Sequence, residues 1–538
     1  MLRAYTAAAI RAAEQPLLDA GRGAELMQRA AHGLAMGVVS VLRGRGRGVY
    51  GSHVALLIGS GNNGGDALFA GAWLASHGAR TTALLTSARP HAQALAAFAK
   101  AGGRVQSAPG DSETFCVSAA RADVIVDGLL GTGGHGGLRE PSASVVARLC
   151  EITGCGSTAD GGRVPRRGTG TDAGSATPSG ATAKPGPAVV ACDLPSGVDA
   201  TTGEVHRPVL AANLTVTFGA AKTGLLAAPG EQLSGDVDVV GLGLEEGLGE
   251  PDLLRLEPAE LAALLPTPGA ADQKYTRGVA GIVAGSAQYP GAALLAVAAA
   301  SACGPGMVRY LGAPAVSAAL HVRNPEAVCS EDDPDDVRVQ AWLAGPGING
   351  DDAQLVRARR ALASGLPTAV DAGALELVGR AGTADHSHLV LTPHAGELAA
   401  LLTRLGRGTD RADVEASPLQ AARKAAALTG ATVLLKGPTT FVAAPGGRTY
   451  AQGDGTPSLA TAGSGDTLGG ILVALLAMTT GRAQAAGVDP RDTLAETAAL
   501  AAALHGRLGR DAAGAPLNAG MLAGRIPAVW GAMSGTGG

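Results

Sequence analysis

Residues 459–476 read LATAGSGDTLGGILVALL and set Gly463, Gly465 and Asp466 at the mouth of an apolar helix. Successive backbone N–H groups at such a place make an anion hole, and an aspartate among them can accept the proton of a substrate hydroxyl. That is the equipment of phosphoryl transfer to an alcohol. A plain helix start is the competing reading, since Ser464 and Asp466 both suit an N-cap. No GxxxxGK[ST] occurs, and GAAKTG at Gly219–Gly224 lacks its spacing, which excludes a P-loop.

A second constellation lies earlier in the chain. GSGNNGGD at Gly59–Asp66 satisfies GxGxxG through Gly59, Gly61 and Gly64, after an apolar run and before a helical pattern. Free N–H groups in such a turn can cradle phosphate, although the glycines could serve a purely structural turn. A hydride-transfer domain would place an acid about 20 positions on; that region reads LLTSARP and has none. VIVDGLLGTGGHGG puts Asp127 at a strand end before Gly131, Thr132, Gly133, Gly134, His135, Gly136 and Gly137, and ACDLPSGVDA puts Asp193 and Ser196 at another. The carboxyl ends of parallel strands converge on one crevice, so the three loops can form one site. Asn63, Asp127 and Ser196 offer oxygen to a hard cation, and Asp193 is a candidate acid/base. Taken singly, each acid could be a helix cap.

Strands and helices must position these loops. HVALLI (His53–Ile58) predicts a buried strand, 66–77 a helix, 80–85 a strand, 91–101 a helix, 123–127 a strand and 142–150 a helix; AVVAC before Asp193 resumes the pattern. In the second half, GVAGIVAGS and an Ala-rich helix from Ala292 are followed by strands near 307–311, 339–344, 368–371, 388–391 and 432–435. Alternation of this kind indicates parallel sheets covered on both faces, an α/β chain with two three-layer αβα domains, the N-terminal one Rossmann-like. Leu/Glu-rich sequence with Pro251, Pro258, Pro266 and Pro268 marks the junction, so we expect domains over 1–245 and 246–538. From 154 to 187 the chain is almost wholly Gly, Ser, Thr, Ala, Pro and Arg, and a flexible insertion is expected there.

Composition narrows the function classes. The 538 residues are 46% hydrophobic, enough for two cores, and 42 basic residues nearly balance 46 acidic ones, which argues against nucleic acid or an anionic membrane as partner. Six cysteines without a CxxC pair make a disulfide framework or zinc site improbable. Arg11, Glu14 and Gln15 interrupt any signal-peptide core, and the longest apolar runs, 292–303 and 471–478, fall short of the ~20 residues that span a bilayer. A cytoplasmic protein with small-molecule partners is expected.

NNGGD, VDGLLGTGG, DLPSGVDA and TFGAAKTGL, in that order over roughly 1–240, resemble the NAD(P)H-hydrate epimerases. The resemblance implies that Asn62, Asn63, Gly64, Gly65 and Asp66, with residues 131–137, bind the damaged dinucleotide, that Asp193 lies beside its reacting ring, and that potassium sits at Asn63, Asp127 and Ser196. Lys222 matches a family lysine without an assigned role. KYTRG, GSAQYPGA, AGPGING, VDAGAL, TPHAGE, LLKGPTT and AGSGD, over roughly 255–510, resemble the ribokinase-like superfamily and, within it, the ADP-dependent NAD(P)H-hydrate dehydratases. This implies that Ala292, Gly347, His394 and catalytic Asp466 contact the hydrate, that Lys436, Gly437, Pro438, Thr439, Thr440 and Gly465 hold the nucleotide, and that magnesium accompanies ADP. By themselves His394 reads as a loop or capping residue and Lys436 as a solvated charge.

The implied function is a bifunctional repair: epimerisation of the R and S hydrates of NADH or NADPH, then dehydration of the S form at the expense of ADP, giving AMP and phosphate, in a homo-oligomer. The alternative is a thiazole- or hydroxymethylpyrimidine-type kinase with a non-catalytic N-terminal binding domain. Three positions depart from the family patterns: Ala67 and Thr456 stand where Gly and Asn are usual, and Gly373 where a second acid is. Ala67 is expected to narrow the phosphate loop.

Overall fold

The computed structural model describes residues 1–134, 136–154, 186–382, 384–487, 489–512 and 514–535. His135 and, apart from its end residues, the expected insertion at 154–187 lie outside them. The chain divides into two compact units, Arg3–Asp252 and Met1–Leu2 with Leu253–Gly538. Residues 246–252 stay with the first unit, where the Asp252 amide donates to the Ala4 carbonyl (2.9 Å) and its carboxylate accepts from Thr223 Oγ1 (2.9 Å).

In the first unit a parallel sheet runs in the order Arg104–Ser107, Arg80–Leu85, His53–Ile58, Val124–Gly128, Ala188–Cys192, Leu214–Phe218, Asp236–Val240. Alternate residues of His53–Ile58 enter opposite cores. Val54, Leu56 and Ile58 join Leu34, Val38 and Leu68 on one face, while Ala55 and Leu57 join Phe115, Val146 and Leu149 on the other. Burial of both faces explains why the strand is apolar without interruption, and the layering is αβα as expected. The winding direction reverses between His53–Ile58 and Val124–Gly128, so the crevice opens beyond their carboxyl ends.

Before His53 stand two helices for which the sequence reading offered no element, Ala7–Asp19 and Gly23–Gly44. The second lies very close to the sheet. A Cβ on Gly33 would come within 2.3 Å of Val240 Cγ2, and one on Gly37 within 2.4 Å of Val216 Cγ2.

In the second unit, parallel strands Val328–Ser330, Met307–Leu311, Val279–Val283, Ala341–Ala344, Thr368–Val370, Leu389–Leu391 and Thr432–Leu435 are followed by antiparallel Thr440–Ala443 and Thr449–Gln452, with Leu253–Arg255 parallel to the last. The antiparallel pair is a departure from the all-parallel expectation. Helices Pro290–Ala302 and Ser464–Ala486 pack through small residues, and a Cβ on Gly470 would come 2.2 Å from the Ala296 carbonyl oxygen. Among the described residues no helix is long and apolar enough to cross a membrane.

Candidate active sites

In the first unit the three strand ends meet. Asp193 follows Ala188–Cys192 with φ 69°, a left-handed conformation that costs a non-glycine residue about 1–3 kcal/mol and is held by its surroundings. Its Oδ2 accepts from the Thr132 amide (2.9 Å) and Oγ1 (2.6 Å), and its Oδ1 from Thr217 Oγ1 (3.1 Å) and Lys222 Nζ (2.5 Å). Lys222 is 2% exposed and donates also to Thr217 Oγ1 and the Phe218 carbonyl. Burial would raise the Asp193 carboxyl, but Lys222 and Thr132 outweigh it and hold the group below the usual carboxylate range. Lys222 is thus the counter-charge of Asp193, a pairing no local pattern announces.

Asn63, Asp127 and Ser196 gather around Leu130. Asn63 Nδ2 donates to the Leu130 carbonyl (3.0 Å), the Leu130 amide donates to Ser196 Oγ (2.9 Å), and Ser196 donates to Asp127 from its amide (2.8 Å) and Oγ (2.7 Å). Its other partner among the described residues is the Leu129 amide (3.3 Å), so none of those partners is cationic. Burial pushes its carboxyl up in spite of these bonds. Oxygen donors around a buried carboxylate that lacks a counter-charge fit a large hard cation.

Gly64 of the turn and Gly131 of the neighbouring loop have little room for a side chain. A Cβ on Gly64 would lie 2.4 Å from the Gly59 carbonyl oxygen, and one on Gly131 would lie 3.1 Å from Asp193 Oδ2 and 3.2 Å from Asn63 Oδ1. Gly64→Ala is therefore expected to lower stability by about 1–3 kcal/mol; an unchanged urea midpoint would contradict this. Ala67 does not narrow the loop as expected. It is fully buried in the core, and a Cβ on Gly128 would come within 2.6 Å of its methyl, which places that methyl on the strand side.

Two residues of helix Ala7–Asp19 join this site without having been singled out. Arg11 Nη1 donates to the Thr132 carbonyl (3.1 Å). Glu14 is half-buried and its carboxyl is raised, by burial first and by Asp193 further, against the opposing pull of Lys222.

In the second unit Asp466 lines a cavity of about 480 Å³ together with Gln288, Tyr289, Ala292, Gly347 and Asn349. Gly347 has φ 68°, and a Cβ there would come 2.7 Å from Ala292 Cβ, so the Ala292 methyl packs close over the Gly347 backbone. Lys436 Nζ donates to Asp371 Oδ1 (2.8 Å), lies 3.9 Å from Glu397 Oε2, and would be 3.4 Å from a Cβ on Gly465. The LLKGPTT and AGSGD segments thus meet. Gly437 and Pro438 are exposed, Thr439 is buried, and Thr440 opens the antiparallel strand. Burial and then Asp371 push the Asp466 carboxyl up to about 6, against Lys436.

His394 caps helix Ala395–Arg404: its Nδ1 accepts from the amides of Gly396 (3.0 Å) and Glu397 (3.2 Å). It does not line the Asp466 cavity, although it pairs with Lys436 in an isolated parallel bridge. A Cβ on Gly373 would fall 2.2 Å from Asn349 Oδ1. The Asn349 amide therefore occupies the space a side chain at 373 would need. His505, from helix Leu494–Asp511, reaches Ser464 Oγ at 3.0 Å behind the anion hole, and burial holds its imidazole down at about 4, neutral.

Residues 280–528 match the profile of a family described as NAD(P)H-hydrate dehydratase, and residues 23–224 that of the YjeF-related protein N-terminus. The bifunctional NAD(P)H-hydrate repair enzyme Nnr of Mycobacterium leprae is 41% identical over 491 residues, covering 90% of each chain. That of Mycobacterium tuberculosis is 40% identical over 482 residues, 88% of this chain and 89% of its own. Among solved structures, an ADP/ATP-dependent NAD(P)H-hydrate dehydratase from Bacillus subtilis, co-crystallised with ATP/Mg2+, is 26% identical over 52% of this chain and 98% of its own, with a TM-score of 0.44.

Proposed function

The chain belongs to the bifunctional NAD(P)H-hydrate repair enzymes, and on that premise we propose that its two units divide one repair between them. The first interconverts the R and S hydrates of NADH and NADPH. The second dehydrates the S form with ADP as phosphoryl donor. The observation that carries this reading is a pair of aspartates in contrasting environments, buried Asp193 held below the usual carboxylate range by Lys222 and half-buried Asp466 raised to about 6. Environments that push such groups apart are how one chain runs different proton chemistry at one pH.

Asn62–Asp66 and residues 131–137 would cradle the dinucleotide in the first unit, with the hydrated ring over Asp193. His135 belongs to this proposal on the family resemblance alone. Asn63, Asp127 and Ser196 would hold potassium, which would neutralise the Asp127 charge beneath the loop.

In the second unit the ring would enter the cavity of Ala292, Gly347 and Asn349, with His394 contacting the hydrate from the loop beside Lys436 and with Lys436–Thr440 and Gly465 holding the nucleotide. Asp466 takes the proton of the ring hydroxyl as its oxygen attacks the terminal phosphorus of ADP, and AMP departs. Phosphate then leaves the ring carbon, pushed by the nitrogen lone pair, and loss of a neighbouring C–H proton restores the double bond. Magnesium would arrive with the nucleotide, bound chiefly by phosphate oxygens. Assembly into a homo-oligomer and a cytoplasmic location are part of the same proposal.

The test is recovery of NADH absorbance from mixed R and S hydrates with magnesium, potassium and ADP or ATP. Complete recovery supports both activities, recovery of the S fraction alone removes the epimerase, and a stable phosphorylated product without NADH would mean a kinase. Exchanging potassium for tetramethylammonium is expected to slow epimerisation and lower the melting temperature; if neither moves, the potassium assignment is wrong.

A further inference from the structure

Asp66 is the unexplained group of the first unit's crevice. It stands in helix Asn62–Ser76, 7% exposed, and its Oδ1 is buried without a hydrogen-bond partner among the described residues. Buried carboxylates ordinarily collect donors, as Asp193 and Asp127 do here. The charged groups that face Asp66 are Asp193 and Lys222 from the far strands and Glu14 from helix Ala7–Asp19, with the Cys192 thiol also near. Burial first, then Asp193 and Glu14, push the Asp66 carboxyl well above the usual range against Lys222, which favours the protonated acid. A carboxylic acid has an O–H to give; a carboxylate does not.

We propose that Asp66 is the proton donor of epimerisation, acting with Asp193 as the acceptor; the proposal rests on reading the first unit as the epimerase. Water adds to an enamine at the carbon bound to nitrogen, because the nitrogen lone pair stabilises positive charge there. The hydroxyl to be inverted therefore sits beside the ring nitrogen. Its C–O bond breaks with the electron pair on oxygen, which takes the Asp66 proton and leaves as water while the nitrogen lone pair forms C=N. Ionised Asp193 stabilises the cationic ring. A water adds to the other face, its lone pair making the new C–O bond, the C=N pair returning to nitrogen and its proton passing to Asp193. Exchange with solvent returns a proton to Asp66 and removes one from Asp193, closing the cycle.

The experiment gives purified R hydrate to the full chain and to Asp66→Asn and Asp66→Glu, and follows S hydrate by chromatography within times too short for spontaneous exchange. Asp66→Asn keeps the shape but has no acid proton, and should lose roughly 10²–10⁴-fold in kcat, while Asp66→Glu recovers most of the loss. Dehydration of S hydrate by the same variants should be unaltered. A kcat for Asp66→Asn within about tenfold of wild type overturns the proposal, as does an equal loss in both variants, which would mark a steric role. Wild-type kcat should also fall in D2O, and a rate indifferent to deuterium overturns the proposal whatever the variants do. A wild-type chain that leaves R hydrate untouched removes the epimerase reading, and the role of Asp66 with it.

Discussion

Asp466→Asn is expected to cut dehydration of the S hydrate by roughly 10²–10⁴-fold, the usual worth of a positioned base, while epimerisation of the R form continues. The two proposed mechanisms share a chain but no catalytic group, so each reaction serves as the folding control of the other. The pH dependence follows from the environment. Asp466 must be ionised to take the hydroxyl proton, and its carboxyl lies at about 6 because burial and Asp371 raise it and Lys436 only partly offsets them. kcat/KM for dehydration should therefore be level above neutrality and decline as pH falls through about 6. Asp371→Asn removes one raising influence and should move that decline to lower pH. A decline unmoved by Asp371→Asn, or one that survives in residual Asp466→Asn activity, would show that another group titrates.

Lys222→Met should damage both stability and epimerisation. Lys222 and Asp193 are each at least nine-tenths buried and 2.5 Å apart, and removing one partner of a buried pair typically costs about 3–5 kcal/mol because the other charge is stranded. Asp193→Asn combined with Lys222→Met removes both charges. It should recover most of the lost urea stability and none of the epimerase rate; failure to recover would mean that Lys222 acts through packing. The pair also fixes an acid limit. The folded carboxyl lies below the ordinary aspartate value of 3.8, so its contribution is complete above that value and is lost only as pH falls through the depressed one.

The fold was legible where one physical constraint dominates. Strands buried on both faces must be apolar throughout, and His53–Ile58 and Arg80–Leu85 were read with the boundaries they have. Helix Gly23–Gly44 carried a readable signal in the four-residue spacing of Leu26, Ala30, Leu34, Val38 and Leu42, diluted by alanine and glycine. The antiparallel strands after Lys436 were hidden by a motif that reads as a loop. The loops of the candidate sites were legible because parallel strands must end at one edge, which brought Asp127, Asp193 and Gly131 together as expected. Lys222 beneath Asp193, Arg11 on Thr132 and Asn349 over Gly373 were not legible, since side-chain reach between distant segments leaves no period and no spacing.

Helices Pro290–Ala302 and Ser464–Ala486 carry two walls of the cavity proposed for the dehydration, Ala292 and Asp466, and they touch backbone to backbone at Ala296 and Gly470. Their separation is therefore set by a glycine rather than by interchangeable side chains. It works as a ruler, fixing how far the ring wall stands from the base. One added methyl at 470 would lengthen that ruler, so discrimination among hydrated rings of different bulk can drift through a position no substrate ever reaches.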